Sequence, residues 1–202
     1  MEILSYILLI LMGYLIGSIP FALIIGKLVY NKDVRESGSG NLGGTNTGRV
    51  LGKKAGLTVM ILDISKAFFA ITIATLLINH FNINMDPNYV GLACVLGHCY
   101  PLFAKFKGGK GVAAAAGFIL AINPIFLLIA LAILLINLKI HKMMSLAVII
   151  TLISLIILTF VFKEFENLRT IIIILTIFIT FQHRTNITRI INHTENKITW
   201  MK

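Results

Sequence analysis

Long apolar runs separated by short polar, mostly basic stretches dominate the chain. The runs are Ile3–Ile25, Ala55–Ile78, Tyr89–Phe103, Val112–Leu138, Ser145–Phe162 and Thr170–Phe181. A helix needs about 20 apolar residues to cross a bilayer, fewer where neighbouring protein shelters it. The first run is too long for the apolar core of a secretory signal, about 7–15 residues, and no basic segment precedes it, so it reads as a retained span. No linker, low-complexity tail or repeat interrupts the pattern, and 1–202 reads as a single integral-membrane domain.

The cations decide how many times the chain crosses. Lys27, Lys32, Arg35, Arg49, Lys53 and Lys54 lie in a first loop, Lys105, Lys107 and Lys110 in a second, Lys139 and Lys142 in a third. Arg184, Arg189, Lys197 and Lys202 lie in the tail. The positive-inside rule places all four regions in the cytoplasm. A single crossing by Val112–Leu138 would put the third loop and the tail outside. Two crossings, turning at Asn123-Pro124, reconcile everything, and Asn-Pro is a turn initiator. The halves, roughly 16–22 Å of helix, are short for a bilayer. The pattern therefore predicts an all-α polytopic fold with seven transmembrane helices, N-terminus outside and C-terminus cytoplasmic. Of the 18 cations, 15 then face the cytoplasm. The last 16 residues, from Ile187 to the end and including Ile198, Trp200 and Met201, read as an amphipathic interfacial helix.

Composition agrees. With 57% hydrophobic and 13% charged residues and a mean hydropathy of +0.92, a soluble monomeric globule is excluded. The net charge of +10 marks either polyanion binding or topology. Cys94 and Cys99 read as small buried thiols. Asp63 and Lys66, spaced i,i+3 inside the second run, read as an ion pair on one helix face. That pair either fixes packing or lets Lys66 support the polar loops.

Three cytoplasmic regions carry unusual chemistry. In Ser37–Arg49, the Gly38, Gly40, Gly43 and Gly44 amides can converge on an anion, Ser39, Asn41, Thr45 and Asn46 add neutral hydrogen bonds, and Arg49 offers a fork for phosphate. Gly38, Gly40 and Gly43 formally match G-x-G-x-x-G, but no strand precedes them and a dinucleotide site is rejected. In Gly97–Gly111, Lys107 and Lys110 stand against Gly108, Gly109 and Gly111, and Val112 opens a helix whose N-terminus also favours anions. The run is not a Walker A, and His98 within it reads on its own as structural. Third, His183, Asn186 and Arg189 fall on one helix face beside Arg184, and are expected to point back at the other loops.

In combination these residues resemble the bacterial acyl-phosphate:glycerol-3-phosphate acyltransferases. Ser37–Arg49 resembles that family's first motif. Gly97–Gly111 with Val112-Ala113 resembles the second, His183-Arg184-x-Asn186-Ile187-x-Arg189 the third, and His193-Thr194-Glu195-Asn196-Lys197 a Gly-Thr-Glu-Asn-Lys ending. Departures are Leu42 for a common Pro, Gly44 for Ala, and Ala67 for Gly after Asp63-x-x-Lys66. The resemblance implies an inner-membrane enzyme, its site facing the cytoplasm, that moves an acyl group from acyl phosphate to the 1-hydroxyl of glycerol 3-phosphate. The products are 1-acylglycerol 3-phosphate and phosphate, the first step of phospholipid synthesis. It implies no cofactor and no metal, and partners limited to acyl phosphate, glycerol 3-phosphate and membrane lipid, with no nucleic acid and a monomeric chain. Carried over by position, His183, Ser39, Lys107 and Asn186 are the catalytic candidates. Gly38, Gly40, Asn41, Gly43, Thr45, Asn46, Arg49, His98, Gly108, Gly109, Lys110, Gly111, Ser145, Arg184 and Arg189 are the substrate-binding ones.

Rival classes fit less well. A small anion transporter predicts charges deep in several spans, and only Asp63 and Lys66 qualify. A CDP-alcohol phosphotransferase needs an Asp-rich metal motif, and the cytoplasmic loops hold only Asp33 and Glu36. A nucleic-acid binder would interleave aromatics with its basic residues.

Overall fold

The computed structural model describes residues 2–198, and these are helical without strands. The chain forms two compact units, Met1–Ile122 and Asn123–Lys202. Four segments among the described residues are long and apolar enough to cross a membrane: Glu2–Tyr30, Lys53–His80, Pro124–His141 and Met144–Val161. The other expected spans form shorter helices.

The first unit contains α1 (Glu2–Gly17), α2 (Phe21–Tyr30), α3 (Gly44–Leu51), α4 (Lys53–His80), α5 (Asn88–Cys99) and α6 (Val112–Ile122). The first apolar run, expected as one helix, breaks at Ser18–Pro20. Pro20 lacks an N–H and cannot continue α1. The Ser18 amide and hydroxyl both donate to Tyr14 O at 2.8 Å, closing α1, while Leu23 and Ile24 N–H groups donate to Pro20 O and open α2. The break takes the Ile19 carbonyl out of the helical ladder, and it accepts from Phe21 N–H at 3.2 Å and from Lys66 Nζ at 2.9 Å.

Helix α4, about 42 Å long at 1.5 Å per residue, packs against α1, α3, α5 and α6. Glycines set how closely the backbones approach. A Cβ on Gly17 would strike the Cys94 backbone of α5, and one on Gly97 would strike Tyr14 O of α1. Gly117 of α6 lies equally close to Ile64 of α4, and Gly56 of α4 to Gly44 and Gly48 of α3. Between lipid-embedded helices apolar burial gives little drive, so close van der Waals contact through small residues matters more. These contacts hold α3 and α6 onto α4, and α5 onto α1, and the ends of α3, α5 and α6 carry the polar loops. Both cysteines are buried on α5, as expected.

The second unit contains α7 (Pro124–His141), α8 (Met144–Val161), α9 (Arg169–Gln182) and α10 (Arg184–Ile191). The expected break at Asn123-Pro124 is present. Asn123 is extended, its side chain accepts from Phe126 N–H at 2.9 Å, and Pro124 opens α7, where a missing N–H costs nothing. The Thr151, Ser154 and Thr159 hydroxyls of α8 donate back to carbonyls of their own helix, which satisfies them in apolar surroundings. Between α8 and α9, the Arg169 guanidinium stacks 4.3 Å over Phe160 and donates to Thr159 O.

The tail corrects the expected interfacial helix. Helix α10 stops at Ile191 in a Schellman turn: His193 N–H donates to Ile190 O at 3.1 Å and Thr194 N–H to Arg189 O at 2.8 Å. His193 has φ 56°, a left-handed conformation that glycine adopts at no steric cost and other residues at about 1–2 kcal/mol. The turn sends the chain back. Ile198 is buried against Leu138 and Ala147, and its N–H donates to Lys142 O at 2.7 Å. The apolar side chain of Ile198 thus serves internal packing; Trp200 and Met201 lie outside the described residues.

Candidate active site

The first loop is built outward from two buried apolar anchors. Val34 and Leu42 sink into a cluster with Ala22, Val59 and Ala104. Between them the backbone turns through Gly38 and Gly40, at φ 66° and 68°, after a 3-10 turn at Val34–Glu36 and not after a strand. Asn46 on α3 is buried and organises the turn. Its Oδ1 accepts from Ser39 N–H at 2.8 Å, and its Nδ2 donates to Val34 O at 2.9 Å and Ser37 O at 3.3 Å. Asn41 Oδ1 accepts from Gly43 N–H at 2.9 Å and shapes the entry to α3. Ser39, Thr45 and Arg49 are left exposed. An open cleft of about 480 Å³ runs along the loop, with Lys32, Glu36, Ser37, Gly38 and Arg49 in its lining. Asp33 also lines it, but the Arg35 fork holds this carboxyl down at about 2, with Lys27 assisting at 3.7 Å. The Arg35 charge is therefore spent on Asp33, which leaves Arg49 and Lys32 as the cleft cations without an ion pair among the described residues.

The second loop leaves α5 at Tyr100-Pro101 and passes through Lys105 and Phe106, both at positive φ, before Gly108-Gly109-Lys110-Gly111 enters α6. It is pinned from below. Gly109 N–H donates to His98 O at 3.0 Å, and a Cβ on Gly108 would overlap His98 O, Cys99 O and Pro101. One bond joins the two loops: Leu42 N–H donates to Gly108 O at 3.3 Å. Lys107 is exposed and Lys110 half-buried, whereas His98 is buried beneath the loop. The fold thus brings the first two motifs side by side.

In the second unit, Ser145, Asn186 and Arg189 converge on one residue. Glu195 Oε1 accepts from Ser145 Oγ at 2.8 Å and Asn186 Nδ2 at 2.7 Å, and its Oε2 accepts from Arg189 Nε at 2.8 Å. The Schellman turn at His193 is what returns Glu195 to α10. His183 is buried at the α9–α10 junction with Nδ1 2.8 Å from Ile179 O. A carbonyl can only accept, so in the neutral ring Nδ1 carries the hydrogen and Nε2 the lone pair. Arg184 is set apart, exposed and stacked 4.6 Å over Phe181.

A family model described as glycerol-3-phosphate acyltransferase matches residues 7–193. The chain belongs to the glycerol-3-phosphate acyltransferase family. Among curated glycerol-3-phosphate acyltransferases, that of Listeria welshimeri is 46% identical over 200 residues, covering 98% of each chain. That of Geobacillus kaustophilus is 42% identical over 193 residues, covering 96% of each. Two crystal structures of PlsY (YgiH), an integral membrane glycerol 3-phosphate acyltransferase, share the fold. The glycerol 3-phosphate form has a TM-score of 0.86 at 39% identity, and the lysophosphatidic acid form 0.84 at 38%, each over 96% of both chains.

Within this acyltransferase, two residues gain roles that sequence reasoning did not assign. Glu195 was legible only as part of a matching tail, since its partners are up to 50 positions away. Asp63 was paired with Lys66, but its contact with His98 depends on how α4 and α5 pack. For Glu195, burial pushes the carboxyl up, but the hydrogen bonds from Arg189, Asn186 and Ser145 outweigh it and hold the group below its ordinary 4.5. Its stabilisation is therefore present above the unfolded value and lost as pH falls through the folded one. Glu195→Gln is expected to cost about 1.5–3 kcal/mol at pH 7. Melting temperatures in detergent check this: the gap from wild type closes as pH drops below 4.5.

Proposed function

We propose that this acyltransferase transfers a fatty acyl group from acyl phosphate to the 1-hydroxyl of sn-glycerol 3-phosphate, releasing phosphate and 1-acylglycerol 3-phosphate. One observation carries the reading: two glycine-rich loops bearing Arg49, Lys107 and Lys110 are joined through Leu42 and Gly108, a basic surface suited to small phosphates. Both substrates of the reaction carry phosphate. The PlsY structures in the glycerol 3-phosphate and lysophosphatidic acid forms support the acceptor and product.

An acyl phosphate is already activated, so the protein mainly positions reactants and neutralises charge. The glycerol 1-hydroxyl oxygen attacks the acyl carbonyl carbon, the carbon–oxygen bond to phosphate breaks, and Lys107, Lys110 and the loop amides stabilise the departing phosphate. Arg49, Asn186 and Arg189 orient glycerol phosphate. His183 Nε2 takes the hydroxyl proton, and the Nδ1 bond to Ile179 O sets that tautomer. The exposed Ser39 takes part by hydrogen bonding, without an acyl-enzyme. The chain crosses seven times, the shorter helices α5, α6 and α9 supplying the three crossings beyond the four long segments. The N-terminus lies outside, and the basic loops face the cytoplasm from the inner membrane of a monomer.

The test mixes purified protein with acyl phosphate and glycerol 3-phosphate in the absence of added metal, and follows phosphate and lysophosphatidate. Stoichiometric release of both is expected, with His183→Gln slower by about 100-fold or more. Absence of phosphate release overturns the donor assignment, and full turnover by His183→Gln passes the proton to a substrate phosphate.

A further inference from the structure

Beneath the second loop lies a buried ionic cluster. Asp63 and Lys66 of α4 and His98 of α5 are 1%, 6% and 5% exposed. Lys66 Nζ is 2.7 Å and His98 Nδ1 3.4 Å from the same oxygen, Asp63 Oδ1. Asp63 Oδ2 is buried and has no hydrogen-bond partner among the described residues. An ion pair that served helix packing alone would need only Lys66, which also ties off the Ile19 carbonyl. The histidine is the member that leads outward. Its ring edge fills the space where Gly109 would carry a Cβ, and its backbone carbonyl accepts from Gly109 N–H at 3.0 Å. The next residue back, Gly108, accepts from Leu42 of the first loop.

We infer that Asp63 is a positioning residue: by accepting from His98 Nδ1–H it fixes the tautomer and tilt of the imidazole on which Gly108-Gly109-Lys110 rests, and so sets both phosphate-binding loops. A carboxylate that orients a histidine through one nitrogen decides what the other nitrogen presents. Here Nε2 meets the Gly109 backbone, so a rotated ring would lift the loop from below. Asp63 touches no substrate. Its influence runs through His98 to Gly109, and from Gly108 to Leu42, between Asn41 and Gly43.

The inference rests on the phosphate-loop reading above, and the test separates the two. Removing Asp63 alone would strand the Lys66 charge and endanger folding. Two double variants avoid this: Asp63→Asn with Lys66→Met, which keeps a carbonyl acceptor for His98, and Asp63→Leu with Lys66→Met, which has the same branching and no acceptor. Both lack the ion pair, so their difference reports the acceptor. In the phosphate-release assay, the leucine pair is expected to show KM for at least one phosphate substrate about tenfold above the asparagine pair. The expected kcat values lie within about threefold and the melting temperatures within a few degrees. Equal KM values in two folded proteins overturn the inference and leave Asp63 a packing anchor. Should the leucine pair not fold, His98→Asn on the intact ion pair carries the test: a rise of similar size is expected, and an unchanged KM overturns the proposal. Wild-type turnover in parallel judges the donor independently.

Discussion

Asn46→Leu is expected to lower turnover by about 100-fold or more and to destabilise the protein by roughly 2–4 kcal/mol. Leucine has the branching of asparagine but none of its polar atoms, so the change removes three hydrogen bonds from a buried position: Ser39 N–H, Val34 O and Ser37 O all lose their partner. The buried Val34 carbonyl then has to find another donor or remain unsatisfied, which accounts for most of the stability loss. The activity loss has a different origin. Ser39 and the Gly38 and Gly40 turns are exposed and held in place from one side by Asn46, so their positions spread once the amide is gone. Steady-state lysophosphatidate formation and thermal melting in detergent separate the two effects. A folded Asn46→Leu protein with near-normal turnover would mean that Val34 and Leu42 alone hold the loop.

Gly109→Ala is expected to act on the second loop with the opposite balance, raising KM for a phosphate substrate by about tenfold to 100-fold with little change in melting temperature. The added methyl falls onto His98 Nε2, and the ring cannot swing away because it is buried, with Nδ1 3.4 Å from Asp63 Oδ1. The loop, exposed on its outer side at Lys105, Phe106 and Lys107, has to lift instead. Gly48→Ala is the matching control. Its Cβ would meet its nearest neighbour at 3.7 Å, an ordinary contact, and both kinetics and melting should stay close to wild type. Equal effects from both substitutions would show that the loss reflects general crowding and not the position of the loop.

Local signals in the sequence mark most of these parts. The helix break at Asn123-Pro124 was legible because both its determinants are adjacent: a proline suited to a first helical turn and an asparagine suited to cap it. The break at Ser18–Pro20 carried a similar proline, but the surrounding apolar run masked it, and the compensating donor, Lys66, lies 47 positions away. In the candidate site, Asn46, Lys110 and Asn186 were identifiable by residue type and spacing. The organising acids were not. A lone Glu195 in a basic tail or an Asp63 paired at i,i+3 looks complete in one dimension, and its remaining donors arrive only when other helices pack against it.

Hydropathy and charge order along the chain by themselves determined that this is a helical membrane protein and marked the glycine-rich basic loops as candidates for phosphate binding, because lipid requires helices that satisfy their own backbone and clustered glycine amides beside cations suit small anions. Tertiary structure alone decided that Asp63 reaches His98 and that Glu195 gathers Ser145, Asn186 and Arg189. It also decided that the tail turns back at His193 where an amphipathic helix was expected. The Asp63–His98 contact and the Ser145–Glu195 bond join distant segments, and their geometry is set by how closely helices pack, which no local pattern encodes.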